Sequence, residues 1–386
     1  MKFLRDFNFK DKHVLVRADF NVPLLKSGEI ADDFRIKSIL PTIKYLQDHN
    51  AKIILLSHFG RPNGKIMEEL RVNLIGERIS KLLGQPVKKM DDCIGSEVEE
   101  AIKEMKVSEI VLLENVQFHP GEKAKDHDYI KSLANLADFF VLEAFGQAHR
   151  DYASISGLPE YLPSCAGLLL EKEINALSGV LKNVKRPLVV IIGGAKISTK
   201  IKFIKKFLIK ADDLLLGGAL ANTVIVAKGF VIGRSAYEQK MIEDIKKINL
   251  TDIKLHLPVD AVTSIDSSGK KDFRITSIGK TREDEMILDI GPDTINLFKN
   301  IISKAETIIW NGPMGVIELE KSINGSEQIA QLVADSKAFS IIGGGDSIFL
   351  LEKINLLDKI DHVSTGGGAM LKFLAEENLP GIEALE

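Results

Sequence analysis

One pattern of apolar and polar positions recurs along the chain. A run of four to six apolar residues ends in a glycine-rich or polar loop, and a segment with helical spacing follows. The runs open HVLVRADFNVP at His13, IILLSHFGRP at Ile53, IVLLENVQFHPGE at Ile110 and FFVLEAFGQAHR at Phe139. They continue with LVVIIGGAK at Leu188, LLLGGAL at Leu214, ILDIGP at Ile287, TIIWNGPMG at Thr307 and FSIIGGGDS at Phe339. Uninterrupted apolar runs of this length predict strands buried on both faces. Residues 126–136 and 196–208 carry helical spacing between such runs. Strand alternating with helix predicts an α/β fold of parallel sheets covered by helices. The polar residues follow the strands, and that carboxyl edge is where open parallel sheets bind ligands. The stretch LPEYLPSCAGLLLEKEINALSGVLKN reads as one long helix from about Ala166, connecting an N-terminal and a C-terminal sheet.

Composition narrows the class. A chain of 386 residues favours two or three domains. With 45% apolar and 27% charged residues it is globular rather than disordered or coiled-coil. The net charge of −3 gives no global attraction for nucleic acid, so any anionic ligand needs a local basic cluster. Cys93 and Cys165 cannot build a disulfide framework, which fits a reducing compartment. No signal-like or membrane-length apolar segment occurs, so a cytoplasmic location is expected.

Two clusters carry candidate chemistry. In the first half, Arg17, Asp19 and Asn21 follow one apolar run and Arg35 follows Asp32-Asp33. His58 and Arg61 follow a second run, and His149 and Arg150 a third. A single such arginine also reads as a solvated loop charge. Recurrence in four such groups points instead to a carboxylate or phosphate ligand. In the second half come GGAK at Gly193, GG at Gly217, GGGDS at Gly343 and STGGGA at Ser364. One glycine pair alone reads as a tight strand-to-helix turn. Four loops, one with Lys196 and one with Asp346, point to a nucleotide-phosphate site, with Asp346 placed to hold Mg²⁺. There is no P-loop, since Arg274 occupies the first glycine position of RITSIGKT, and no dinucleotide fingerprint or HExxH. His119 and His127 have no metal-ligand company in the sequence and read as turn or surface residues. The residues alone therefore describe a kinase that closes two domains over its substrates.

The blocks VRADFNVP, SHFGRP, LLENVQFHPGE, GGAKIS, LPVDAV, DIGPDT, WNGPMGV, GGGDS and HVSTGGGA resemble, in order and over almost the whole chain, those of the phosphoglycerate kinase family. The resemblance implies two αβα (Rossmann-like) domains with parallel sheets joined by a long helix and hinge. It implies a 3-phosphoglycerate domain over residues 1–165, a connecting helix over 166–185 and a nucleotide domain over 186–370. Residues 371–386 are expected to pack back on the first domain. The implied reaction is reversible, Mg²⁺-dependent phosphoryl transfer between 1,3-bisphosphoglycerate and ADP, giving 3-phosphoglycerate and ATP, by a cytoplasmic enzyme that is usually monomeric.

Carried over position by position, the resemblance implies substrate contacts at Asp19, Asn21, Arg35, His58, Arg61 and Arg150, with Gln117 at a further position of that site. It implies nucleotide contacts at Gly194, Lys196, Lys200, Gly218, Pro313, Glu318, Gly343, Gly344, Gly345, Asp346 and Ser347. Arg35, Lys196, Gly344, Gly345, Gly367 and Gly368 are the expected catalytic set, and Asp346 the expected Mg²⁺ contact. Some positions depart from the family pattern. Gln117 stands where the family usually has a phosphate-contacting arginine, and Arg150 is the nearest candidate to compensate. Losing that charged hydrogen bond would cost roughly 1.5–3 kcal/mol. Leu142 and Glu143 replace a usual Asn-Asp pair, Thr199 a usual Asp, Met370 a usual Ser and Lys372 a usual Glu. Two other readings compete: a family member that has drifted to a nucleotide-binding role, and a dehydrogenase on a doubly wound sheet, against which the missing fingerprint counts.

Overall fold

Short Val, Ile and Leu runs bounded by polar loops lose most of their surface in the middle of a sheet, and eight of the nine sit there, the run at Ile287 being instead an edge strand. In the computed structural model, which describes residues 1–266, 268 and 272–386, the chain divides into two units. The first comprises Met1–Ala176 and Glu377–Glu386, and the second Leu177–Glu376. The division falls within the helix Leu168–Lys182. The protein is α/β, with two six-stranded parallel sheets.

The first unit's sheet contains β1 (His13–Ala18), β2 (Lys52–Leu56), β3 (Lys88–Lys89), β4 (Ile110–Leu112), β5 (Phe139–Glu143) and β6 (Ser164–Ala166). Their order is β3-β4-β2-β1-β5-β6, and every pairing is parallel. The register sets Val14 beside Ile53 and Phe139, and Arg17 beside Leu56 and Leu142. The loops after β1, β2, β4 and β5 therefore leave from one edge. Val14, Val16, Ile53, Leu55 and Val141 are fully buried and form the middle of this core. The short helix Pro380–Glu383 belongs to this unit, where Gly381 N–H donates to the Ala148 carbonyl at 2.9 Å.

The second unit holds β7 (Leu188–Ile192), β8 (Asp213–Leu216), β9 (Leu255–His256), β10 (Asp260–Ser264), β11 (Arg274–Ser277), β12 (Met286–Ile290), β13 (Thr307–Asn311), β14 (Phe339–Gly343) and β15 (His362–Ser364). Six of them form the parallel sheet β15-β14-β13-β7-β8-β9. The remaining three form a small antiparallel sheet, β11-β10-β12, which the alternating pattern does not anticipate. The link between β10 and β11 covers only residues 265–273, shorter than the crossover a parallel pair requires. Trp310, the single tryptophan, is fully buried and donates through Nε1 to the Gly312 carbonyl at 2.7 Å.

Two helix starts differ from the sequence spacing. The segment after GGAK becomes helical only at Ile201, not Lys196. Glu238 captures the Ser198 hydroxyl at 2.6 Å and its N–H at 2.8 Å, so those groups are satisfied outside the helix. The connecting helix begins at Leu168, because Ser164–Ala166 pairs with β5 as an edge strand. Glu143, at the end of β5, caps it by accepting from Leu169 N at 2.9 Å and Leu170 N at 3.0 Å. Thr42 donates its hydroxyl to Glu143 and accepts from Leu168 N at 3.0 Å. Burial pushes the Glu143 carboxyl up to about 7, against the pull of these hydrogen bonds. Among the described residues, no helix is long and apolar enough to cross a membrane.

Candidate functional site

In the first unit the chain leaves β1 and places Asp19 and Asn21 at the carboxyl edge. Arg35 reaches them from the first turn of the helix Phe34–Asp48. Its guanidinium donates to the buried Asp19 carboxylate at 3.1 Å and to the Asn21 carbonyl at 3.1 Å. Asn21 Oδ1 in turn accepts from Gly60 N at 2.9 Å, tying the loop after β1 to the loop after β2. His58 Nδ1 lies 3.8 Å from Asp19 Oδ1 and is buried. Burial pulls the His58 pKa down to about 4, with Arg17, Arg35 and Arg150 adding to it and Asp19 opposing, so the ring is neutral at pH 7. Burial alone would raise Asp19, but Arg35, His58 and Arg17 outweigh it and hold the carboxyl below its usual range. Arg61 and Arg150 are exposed.

Gln117 sits in the turn after β4 and is 5% exposed. Its N–H donates to Asn115 Oδ1 at 3.1 Å, and its carbonyl accepts from Gly64 N at 3.0 Å. Its side-chain Oε1 has no hydrogen-bond partner among the described residues. Asn115 is a positioning residue that the sequence analysis did not single out. Its amide donates to Phe59 O at 2.6 Å and Leu70 O at 3.0 Å, pinning the loops after β2 and β4 together.

Arg17 departs from the sequence reading. It lies inside β1, fully buried, rather than in the loop after it. Its Nε donates to Ser154 Oγ at 2.7 Å, and Ser154 donates through N and Oγ to Glu122 at 3.0 and 2.6 Å. Arg17 is thus a buried cation beneath the edge, with Nη2 unpartnered among the described residues. No local signal marks it, since a charged residue inside an apolar run reads the same whichever way it points.

In the second unit a cavity of about 380 Å³ opens beside the sheet edge. Gly194, Gly218, Pro313, Glu318 and Asp346 line it, and apolar groups such as Ile225, Leu288 and Met314 complete its wall. Backbone proximity shapes this site. A Cβ on Gly218, whose φ is +64°, would stand 2.8 Å from the Gly194 backbone N and O. A Cβ on Gly367 would stand 2.7 Å from Gly344 Cα. Gly344 itself has φ +111°, which L side chains rarely adopt. Asp346, exposed in the first turn of the helix Gly345–Lys353, is a hard oxygen donor at the site and fits a divalent cation shared with phosphate oxygens.

The other expected nucleotide and catalytic residues lie on loops, strand ends and first helical turns at the same sheet edge, outside the cavity lining. Lys196 is exposed in the turn after β7, and Gly345 and Gly368 are exposed at helix N-termini. The Lys200 ammonium points under the loop, donating to Gly193 O at 2.7 Å and Asn311 O at 3.3 Å. Burial pulls its pKa down to about 8, with Asp346 opposing. Ser347 is buried, and its Oγ accepts from Gly312 N at 2.9 Å. Asn311 Nδ2 donates to Gly343 O at 2.7 Å, which orders the glycine loop after β14. Asn311 was not singled out in the sequence, where it reads only as the polar end of an apolar run.

Comparison with known proteins gives one consistent result. The family model for phosphoglycerate kinase matches residues 4–377. A phosphoglycerate kinase of Dictyoglomus turgidum is 47% identical over 388 aligned residues, covering 99% of this chain and 98% of its own. One of Moorella thermoacetica is 44% identical over 386 residues, with the same coverage. Among solved structures, phosphoglycerate kinase from Pyrococcus horikoshii OT3 superposes with a TM-score of 0.90 at 34% identity. The structure of phosphoglycerate kinase from Coxiella burnetii gives 0.84 at 37% identity, and both comparisons cover 100% of this chain and 98% of the other.

Proposed function

Because the chain belongs to the phosphoglycerate kinase family, we propose that its first unit binds 3-phosphoglycerate or 1,3-bisphosphoglycerate and its second binds ADP or ATP. The activity is phosphoglycerate kinase, a glycolytic phosphotransferase with a carboxyl group as acceptor. The observation that carries the residue assignment is that Arg35, Lys196 and Asp346 each stand at the carboxyl edge of their sheet, beside a site of the matching chemistry.

The acid's carboxylate is already ionised, so attack on the γ-phosphoryl needs no general base. That agrees with His58 being neutral, its Nδ1 lying 3.8 Å from Asp19 without a hydrogen bond, rather than poised as an acid. What transfer requires is alignment and charge neutralisation on the equatorial oxygens. Asp19 holds the Arg35 fork in place, and Arg35, Asn21, His58, Arg61, Gln117 and Arg150 bind and orient the acid. Lys196 meets the transferred phosphoryl group. The amides of Gly344, Gly345, Gly367 and Gly368 donate from helix N-termini, where the dipole favours anions. Gly194, Gly218, Pro313 and Glu318 hold the nucleoside, with Gly343, Ser347 and Lys200 shaping the loops around it. Asp346 would hold Mg²⁺, which supplies neutralisation of the nucleotide phosphates. Transfer is direct and in line, and hinge closure excludes water from the acyl phosphate. The enzyme works as a monomer in the cytoplasm.

The test is a coupled assay of ATP- and Mg²⁺-dependent 1,3-bisphosphoglycerate formation with 3-phosphoglycerate titrated. Saturable turnover is expected. No turnover with normal MgADP binding would overturn the proposal in favour of a nucleotide-binding protein without kinase activity.

A further inference from the structure

The turn after β4 ends at His119, and the segment after β3 carries Asp92 and Cys93. Separated by 26 residues, these side chains meet: His119 Nε2 lies 2.5 Å from Asp92 Oδ1. One donor atom from each of the three lies within 4.8 Å of the other two. The sequence analysis left His119 without metal-ligand company, and the parallel pairing of β3 with β4 is what supplies it.

The donors are one imidazole nitrogen, one thiol sulfur and one carboxylate oxygen. Magnesium and calcium select oxygen alone, whereas nitrogen and sulfur together select zinc and its neighbours. The groups are also held in place. Cys93 N donates to Asp92 Oδ1 at 2.6 Å, and the His119 ring stacks on Tyr129 with centroids 4.9 Å apart. Without metal, the thiol donates to the Glu114 carbonyl at 2.8 Å, and burial keeps it protonated. The Glu114 carboxylate is engaged elsewhere, by Arg71 at 2.9 Å and Lys89 at 2.7 Å. A cation needs only to replace the thiol proton and the proton shared by His119 and Asp92. Tetrahedral zinc sets its N, S and O donors about 3.3–3.6 Å apart. The His119–Asp92 pair must therefore open by about 1 Å, a shift that the exposed Asp92 side chain can make.

We propose that Asp92, Cys93 and His119 form a three-ligand site for a thiophilic divalent cation, zinc fitting best, with the fourth position left to water. On binding, the Cys93 thiol gives its proton to solvent and its sulfur coordinates as thiolate, while the proton between His119 and Asp92 leaves to solvent, so that a free imidazole nitrogen and the carboxylate coordinate. The cation bridges the segment after β3 to the turn that carries Gln117.

The test uses the whole reduced protein without nucleotide, titrated with Co²⁺ as the probe. The expected result is one Co²⁺ per chain, a thiolate-to-cobalt charge-transfer band in the near ultraviolet, and loss of that band on adding Zn²⁺. Cys93→Ser abolishes the band, and Cys165→Ser leaves it intact. Should Cys93→Ser fail to fold, His119→Asn and Asp92→Asn keep the test open, since both positions reach solvent. Each weakens Co²⁺ by at least roughly the 10- to 100-fold that loss of a supporting residue costs. Absence of the band at saturating Co²⁺, its survival in Cys93→Ser, or unchanged affinity in His119→Asn and Asp92→Asn would overturn the proposal.

Discussion

In the first unit, Arg35, Asp19 and His58 converge as side chains, Arg35 donating to Asp19 and His58 lying 3.8 Å from it. In the second, the corresponding work falls to backbone: Gly218 approaches Gly194 at the wall of an apolar cavity, and Gly367 approaches Gly344 outside it, each too closely for a Cβ. On the ligand assignment proposed above, the difference follows ligand size. A three-carbon acid offers only charges and hydroxyls, so charged forks must recognise it. A nucleotide offers an apolar base and a long phosphate chain, which a cavity and a row of amides can hold. Side-chain sites tolerate substitution by changing affinity, whereas backbone sites fail through steric exclusion.

Four predictions press on that contrast. The largest effect is expected for Lys196→Ala, the one cation of the second unit assigned to the transferred group. Its kcat should fall about 100- to 1,000-fold while MgADP affinity changes little. Equal losses in both, measured by steady-state kinetics and calorimetry, would make Lys196 a ground-state ligand.

Next comes pH. Each unit buries one carboxyl pushed up to about 7, Glu143 in the first and Asp289 in the second. For both, the folded state keeps a proton that the unfolded chain has released. Their stabilising contribution is therefore complete below about pH 4 and lost as pH rises through about 7, on the order of 3 kcal/mol each. Glu143→Gln should flatten this loss in the first unit and Asp289→Asn in the second. Hydrogen exchange at core amides of β1 and β7 separates the two; an unchanged pH slope in both variants would refute the assignment.

Gly218→Val should weaken MgADP by about 10- to 100-fold through strain and contact with Gly194, a cost of roughly 1–3 kcal/mol. Affinity for 3-phosphoglycerate should stay as it was. Calorimetry that finds MgADP unchanged would show that the glycine pair is not required. The smallest effect is expected for Gln117→Arg, which restores a charged donor to the first unit's site. KM for 3-phosphoglycerate should drop about tenfold with kcat little altered. A raised KM would show that the buried pocket around Gln117 is built for the amide.

Much of this architecture is legible in the chain, and for a physical reason. Apolar runs followed by Asp19, His58, Gly194 or Asp346 specify a strand and its carboxyl edge together, because both are local in sequence. What escapes the sequence is pairwise and distant. The small antiparallel sheet depends on a link too short for a crossover, at residues 265–273. The late helix start at Ile201 depends on Glu238, 40 residues beyond Ser198. Arg17 looks like a ligand arginine until β1 turns it toward Ser154. Asn115 and Asn311 act through carbonyls of neighbouring loops, and His119 meets Asp92 and Cys93 only once β3 and β4 pair.

The central claim is that the two units recognise their ligands independently, one through side chains and one through backbone. Calorimetric titration of 3-phosphoglycerate and of MgADP, each alone, into the wild-type protein and Arg35→Ala tests it most directly. The account predicts that Arg35→Ala loses at least about tenfold in 3-phosphoglycerate affinity, from a charged hydrogen bond of roughly 1.5–3 kcal/mol, while MgADP affinity stays the same. Equal weakening of both ligands, or of MgADP alone, would contradict it.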